Sequence, residues 1–126
     1  MNHYVVYHNR AKQGPLTSVE GAFLAHSKRS ASFALGKRIW LISGEGQSTP
    51  KSYFLQLTFV PEEVRREGAR HVLRGSNGSF FRPPVQLDFL PWFREFARSQ
   101  ANFSVGLHAI GDTYSQEFER LLRSVL

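Results

Sequence analysis

The chain of 126 residues contains no cysteine. It can therefore form neither a disulfide bond nor a thiolate metal site, and we expect it to act in the reducing environment of the cytoplasm. Long apolar runs are missing as well, and the N-terminus does not place a long apolar stretch after a basic one. We therefore expect no signal peptide, no membrane-spanning segment and no membrane partner.

Common catalytic signatures are also absent. The five histidines lack the His-Glu-x-x-His spacing of zinc proteases, and no Gly-x-Ser-x-Gly elbow occurs. The segment Gly44-Glu45-Gly46 lacks the third glycine of a phosphate-binding loop and lies between two predicted strands. We predict no metal site, no cofactor and no catalytic residues. One enzymatic alternative stays open, since acid-base cleavage of RNA needs only a positioned imidazole, here His8, His71 or His108, with a lysine.

The residues that are present predict one folded domain spanning 1–126. Hydrophobic residues make up 41% of the chain and aromatic residues 13%. Burial of this much apolar surface can offset the loss of chain entropy on folding, and the length is sufficient to enclose a core without disulfides. No internal repeat or low-complexity segment interrupts the chain. We therefore expect a compact fold without a linker.

Positive charge is concentrated in the first two thirds of the chain. The formal net charge is +6, and residues 1–84 hold 12 Lys/Arg against 5 Asp/Glu, whereas residues 85–126 hold 4 against 5. A concentrated positive field attracts polyanions and speeds their encounter with the protein. The distribution favours a nucleic-acid partner, although a basic surface that only aids solubility remains an alternative.

Residues 36–60 predict a β-hairpin around which the rest of the chain packs. Two strand-like runs flank a loop rich in Gly, Ser and Pro. The first run is apolar on both faces from Ile39 to Ile42, which indicates a central strand. In the second run, period-two alternation predicts that four apolar side chains share one face. They are Tyr53, Leu55, Leu57 and Phe59.

Further elements follow from local patterns. We predict a strand over 3–8, a capping box that begins a short helix over 22–25, and a helical turn over 30–35 that ends at Gly36. Residues 61–68 should form a charged turn and 69–74 a strand. The segment Gly75-Ser76-Asn77-Gly78 is typical of a tight turn that returns the chain into a strand ended by Pro83-Pro84.

The C-terminal third predicts two helices. The first spans about 90–97, with Phe89, Trp92, Phe93 and Phe96 at helical spacing, and the second follows Asp112. Residues 103–110 form either a last strand or a buried connector. The apolar stripe of the last helix should cover the sheet; its members are Phe118, Leu121, Leu122 and Val125. The predicted class is α+β, with a curved, mostly antiparallel sheet or small β-barrel and flanking helices.

Basic and aromatic residues interleave in three segments of the chain, at residues 7–10, 37–40 and 74–82. Arginine and lysine bind phosphates, and an aromatic face can stack on an unpaired base. We predict phosphate contacts by five residues, which are Arg10, Lys37, Arg38, Arg74 and Arg82. We assign base stacking to Tyr7 or Trp40 and recognition of base edges to His8, Asn9 or Asn77. Core packing is the competing interpretation for each aromatic residue.

Three stretches of the sequence resemble bacterial domains attached to HNH nucleases. They are the opening Tyr-Val-Val-Tyr-His-Asn, the run from Gly36 to Gly46 continued by Tyr53 to Val60, and the late Asn-Phe-Ser-x-Gly-Leu. Those domains are similar to the PUA, EVE and SRA group. The resemblance implies a small curved barrel that recognises nucleic acid and encloses a modified or flipped base in an aromatic pocket, as in restriction systems. No HNH core occurs in this chain, so a nuclease would be a partner or a fused domain.

The leading prediction is a non-catalytic DNA-binding module that senses a modified or flipped base. A small metal-independent nuclease or RNA-processing factor is the enzymatic alternative. A protein-interaction domain with incidental positive charge is the third, and an open sheet edge would be its docking surface. DNA is favoured over RNA, and the sequence does not define an oligomeric state.

Overall fold

A computed structural model describes residues 3–9, 23–27, 31–46, 52–100 and 107–125. The strands of these segments form a five-stranded sheet, ordered β7-β4-β3-β1-β8, and a three-stranded sheet, ordered β2-β6-β5. Within the described segments, two helices, α1 and α2, and one short 3-10 turn accompany them. In chain order the elements are β1 His3–Asn9, β2 Phe23–Ser27, the 3-10 turn Ser32–Ala34, β3 Arg38–Glu45, β4 Ser52–Val60, β5 Glu63–Glu67, β6 Arg70–Gly75, β7 Asn77–Gln86, α1 Phe93–Ser99, β8 Leu107–Ile110 and α2 Asp112–Val125.

The elements stack in three layers, with the large sheet in the middle. One apolar cluster fills the space between the two sheets, where Ala25 and Leu73 of the small sheet meet Ile39 and Leu41 of the large one. A second cluster lies between the large sheet and the helices and contains most of the aromatic side chains; it includes Trp40, Ile42, Leu55, Phe93, Phe96 and Phe118. Both faces of the large sheet are therefore buried, which explains the unbroken apolar run of β3.

The predicted hairpin of residues 36–60 is confirmed. Strands β3 and β4 pair in antiparallel register, with Ile39 opposite Phe59 and Glu45 opposite Ser52. Strand β1 joins the other side of β3 in parallel, and β8 pairs antiparallel with β1. The described strands are mostly antiparallel, as predicted, but they form two open sheets and not a closed barrel. The α+β class is consistent with this arrangement.

A bulge in β4 overturns the prediction that its four apolar side chains share a face. The pairing partners step from Leu41–Leu57 to Ile42–Leu55, so one extra residue, Gln56, lies between them on β4. Because side chains alternate along a strand, the extra residue moves the following ones to the opposite face. Leu55 consequently packs in the helix-side cluster and Leu57 between the sheets.

The chain from β4 to β7 is one long hairpin that bends from the large sheet into the small one. Its register continues from Val60–Asn77 in the large sheet to Glu63–Arg74 in the small sheet. The hairpin turns at Gly68, whose φ of 63° suits glycine at the first position of a two-residue turn. Residues 61–68 therefore do not form the predicted charged turn, because most of them belong to β5.

The predicted Asn-Gly turn is wrong for the same reason. Residues 75–78 form the outer corner of the bent hairpin, and β7 continues to Gln86, past the prolines that we expected to end it. A Cβ atom on Gly75 would lie 2.3 Å from the Val60 carbonyl oxygen, and one on Gly78 would lie 2.3 Å from that of Thr58. The two glycines permit close backbone approach at the corner, which is a different use of glycine from a tight turn.

Of the remaining predictions, some are confirmed and others are wrong. The helix expected over 22–25 is wrong where the chain is described, because residues 23–27 form strand β2. Both C-terminal helices are confirmed, as is the left-handed Gly36, with φ 75°. In the helical aromatic set, Phe93 and Phe96 are buried but Phe89 is 80% exposed. In the last helix Phe118 is buried, Leu121 and Leu122 are partly buried, and Val125 is 50% exposed.

Candidate nucleic-acid interface

The outer face of the small sheet carries the densest group of arginines in the described chain. Alternation along β5 and β6 places Arg65 on this face, together with Arg70 and Arg74 of the neighbouring strand. The strand pairing sets Arg74 opposite Glu63 and Arg70 opposite Glu67. Hairpin β5–β6 holds four arginines in all, against two glutamates, and all four arginines are exposed.

Most of these arginines lack a carboxylate partner. Arg65 forms an ion pair with Glu63 at 2.6 Å, with both side chains largely exposed. Arg66 donates to the Gly68 carbonyl at the hairpin turn. Arg70 and Arg74 make no ion pair within the described residues. Their guanidinium groups are thus available to an external anion, which they can bind through paired hydrogen bonds.

A shallow groove of about 170 Å³ runs across this face. Arg65 lines it from β5 together with Glu63 and Glu67, Arg74 lines it from β6, and His26 lines it from β2. Val72, only 8% exposed, forms its floor. Arginines and glutamates both stand along its sides above the apolar floor. An extended polyanion such as a nucleic-acid backbone would therefore bind chiefly through Arg74, the lining arginine without an ion-pair partner among the described residues.

A second, smaller cleft joins the groove to the end of β1. His8 and His26 both line this cleft, and Leu24 and His26 line the cleft and the groove alike. His8 lies near the last residue of β1, on the side of the large sheet that faces the small sheet. The structure therefore brings the predicted His8 and Arg74 to one continuous surface, with His26 between them.

The electrostatics of His26 reflect this position. Burial, the positive charge of Arg70 and the nearby His8 hold the pKa of the His26 imidazole below its ordinary value, against an opposing effect of Glu67. The imidazole is therefore mostly neutral near pH 7 in the absence of an anion.

Tyr7 lies on the other face of β1 from His8. Its ring covers Gly44, where a Cβ atom would lie 1.8 Å from the tyrosine hydroxyl oxygen. Its ring centroid is 6.1 Å from that of Tyr53. Burial and the neighbouring Tyr53 raise the pKa of Tyr7 to about 12, and burial with Asp88 raises that of Tyr53. The two rings form a half-buried aromatic pair at the end of the sheet.

Trp40 is not available for base stacking, so this assignment is corrected. Its side chain is 0% exposed and stacks on Phe118 at 5.4 Å between ring centroids. The indole Nε1 donates a hydrogen bond of 3.0 Å to Nδ1 of His3. Trp40 is therefore a core residue whose one polar atom is hydrogen-bonded.

The other predicted contact residues are scattered. Arg38 lies against the helix-side core, 5.8 Å from the Trp40 ring centroid, and donates to Oγ1 of Thr58. Lys37 is half-buried at the same end of the sheet, and Asn77 pairs with Val60 there. Tyr7 and His8 are at the far end of β1, four to five residues along the register from Arg38, so about 15 Å separates the two groups.

The remaining predicted contact residues are Arg82, Asn9 and Arg10. The guanidinium of Arg82 lies 4.5 Å from the centroid of the Phe80 ring, which in turn contacts Phe23 of β2, so Arg82 borders the small sheet. Asn9 ends β1. Arg10 lies outside the described residues.

Sequence reasoning missed His26, Arg65 and Arg70. Alternation of charged and apolar residues along Glu63–Glu67 and Arg70–Gly75 was the pattern that would have placed these arginines on one face of two paired strands. His26 could not be found in this way, because we predicted a helix over 22–25 and no strand next to it. Its approach to His8 depends on how the two sheets stack.

No protein-family model, curated protein sequence or solved structure matches this chain. Among the described residues, no three His, Asp or Glu side chains group closely enough to hold a metal ion. No helix of the described segments is long and apolar enough to cross a membrane.

Proposed function

We propose that this protein is a non-catalytic nucleic-acid-binding module that contacts the phosphate backbone through the outer face of its small sheet. The observation that carries the proposal is the arginine group of hairpin β5–β6, of which only Arg65 has a carboxylate partner in the described chain. Arg74 lines a groove with an apolar floor, Arg70 lies on the same face of β6, and His26 lines the groove on the side of β2. DNA is the preferred ligand, and the absence of cysteine suits action in the cytoplasm.

Binding of this kind depends on counterion release. Each arginine that neutralises a backbone phosphate displaces condensed cations, so affinity falls as salt concentration rises. Phosphate contacts hold the ligand in place but carry no sequence information, which is read from the bases. The arginine surface thus supports affinity without explaining selectivity.

Selectivity is proposed to reside at the end of β1. Tyr7 replaces Trp40 as the aromatic residue for a modified or flipped base, and Tyr53 is its partner. The Tyr7 ring fills the space above Gly44. A base would therefore reach the rings of Tyr7 and Tyr53 from the end of the sheet. Stacking on such a ring is worth about 1 to 3 kcal/mol per base.

The test is a titration of a fluorescent DNA duplex and of a single strand at several salt concentrations. We expect the parent to bind with a steep salt dependence, and Arg70→Ala and Arg74→Ala each to weaken binding to all sequences and reduce the salt slope by about one. Arg123→Ala is the matched control, because it removes an exposed arginine from α2, which covers the opposite side of the large sheet. It should leave binding nearly unchanged.

The same titrations separate the alternatives. Binding that does not respond to salt, or equal effects of Arg74→Ala and Arg123→Ala, would contradict the proposed surface and favour a protein-interaction domain. Incubation with RNA in the presence of EDTA tests the nuclease alternative. We expect no strand cleavage there, whereas cleavage that is lost in His8→Ala would show that the module is an enzyme.

A further inference from the structure

Two histidines at the junction of the groove and the cleft have no part in the phosphate contacts described above. His8 comes from β1 in the large sheet and His26 from β2 in the small one, and both line the same cleft. His26 also lines the arginine groove. The two imidazoles thus lie at the end of a surface that we propose for a polyanion.

Arg70 completes this group. His26 pairs with Val72 on β6, and Arg70 is two residues away on the same face. Diagonal neighbours of this kind have Cβ atoms about 7 to 8 Å apart, within reach of a long side chain. The other charged groups that share the groove with His26 are the arginines Arg65 and Arg74 and the carboxylates Glu63 and Glu67. The charge of Glu67 acts against the arginines on the imidazole.

We propose that His8, His26 and Arg70 form an anion subsite that holds one nucleic-acid phosphate, and holds it more tightly as the pH falls. The inference rests on the proposed nucleic-acid function and adds the residues and conditions that regulate it. Arg70 supplies a permanent charge, while the two imidazoles supply charge only when protonated. An imidazolium donates from both ring nitrogens, so it can bridge a phosphate and a second acceptor.

The coupling between proton binding and phosphate binding determines how pH changes the affinity. Without a ligand, burial and the neighbouring positive charges keep the pKa of His26 low, so protonation is unfavourable. A bound phosphate compensates those charges and raises the pKa of the imidazole. Binding therefore takes up protons, and by reciprocity a lower pH must strengthen binding.

The experiment compares affinity for the fluorescent duplex at about pH 8 and about pH 5.5, on either side of the ordinary histidine pKa. We expect the parent to bind about tenfold more tightly at the lower pH, the effect of one additional charge-assisted hydrogen bond. Because Arg70 and the two imidazoles hold the same phosphate, the salt slope should differ by no more than about one between the two pH values. His26→Gln and His8→Gln should each lose a large part of this enhancement.

His108→Gln is the matched control, because His108 is an exposed histidine on β8. It should keep the parent's pH dependence, and circular dichroism at both pH values must show every variant folded. Adding inorganic phosphate at matched ionic strength should leave the enhancement intact, whereas its loss would assign the subsite to free anions and overturn the proposal.

Different results would contradict the anion subsite and the nucleic-acid function. Salt-dependent binding that is equal at both pH values, or an enhancement that survives in both His26→Gln and His8→Gln, would overturn the subsite while leaving the nucleic-acid function in place. A parent that binds no nucleic acid at either pH would overturn both.

Discussion

Trp40 shows how one residue acquires its role from its surroundings. A tryptophan next to an arginine is typical of a base-stacking site, yet here the ring is buried and its single donor is satisfied by His3. The Nδ1 atom of His3 accepts that hydrogen bond, and its Nε2 atom lies 3.7 Å from an Oε1 atom of Glu119 on α2. Trp40 thus links β3 and β1 directly and contacts the helix layer through Phe118.

Replacing Trp40 by Phe tests this structural role. The variant keeps an aromatic ring but removes the indole donor, which leaves the buried Nδ1 of His3 without its partner and also loses volume. We expect the free energy of unfolding to fall by about 1 to 3 kcal/mol. Urea titration measures this change. DNA affinity of the folded variant should match that of the parent, and a selective loss of affinity with unchanged stability would return Trp40 to the binding site.

At the scale of elements, the bent hairpin of β4–β5 and β6–β7 organises the molecule. One continuous register runs through both sheets, so the corner at residues 75–78 sets how the small sheet covers the large one. The orientation of the arginine surface therefore depends on a corner that contains none of its arginines.

The corner can be tested with two glycine substitutions. In Gly75→Ala the added methyl group would lie 2.3 Å from the Val60 carbonyl oxygen, so backbone must shift. We expect a loss of about 1 to 3 kcal/mol in unfolding free energy. Gly111→Ala is the control, because nothing lies within 4 Å of its added Cβ atom. It should be neutral or stabilising by up to about 1 kcal/mol. Equal melting temperatures for the two variants would mean that the corner is not closely packed.

In the whole molecule, the arginine surface of the small sheet and the aromatic core beside the helices lie on opposite sides of the large sheet. The helices cover one face of the large sheet with aromatic side chains, while the small sheet presents its arginines on the opposite side. Histidines lie in both parts, since His3 is in the core beside the helices and His26 is at the groove. The net charge of +6 increases further when histidines are protonated.

Stability should therefore decrease in mild acid. Burial is the main cause that lowers the pKa of both His3 and His26 below 6.5 in the folded protein. Well above pH 6.5 both residues are neutral whether the chain is folded or not, so these two histidines take nothing from the stability. As the pH falls through 6.5 and then through the lower folded pKa values, the unfolded chain binds more protons and stability is lost. Melting curves between about pH 8 and pH 5.5 measure this loss.

The matched variants for this prediction are His3→Gln and His108→Gln. His3→Gln should melt lower than the parent but with a shallower pH dependence, because one buried titrating group is gone. His108→Gln should retain the parent's dependence. A parent whose melting temperature is constant across this range would show that neither imidazole changes its protonation on unfolding.

Local patterns in the sequence were sufficient for several elements. The central hairpin of residues 36–60, strand β1, both C-terminal helices and the left-handed Gly36 follow from periodicity and turn chemistry, which act between near neighbours. The excess of arginine in the first two thirds likewise depends on composition alone. Each of these features depends on residues close together in the sequence, so it can be predicted without knowledge of the fold.

Tertiary structure decided which of these residues meet. The bulge at Gln56 moved Leu57 to the other face, and pairing of β6 with β5 and β2 changed residues 75–78 from a turn into a corner. Trp40 became core because the helices cover its face of the sheet, and His8 reached His26 because the small sheet stacks over β1. Strand pairing and layer stacking join residues far apart in the chain, and no short window contains both partners.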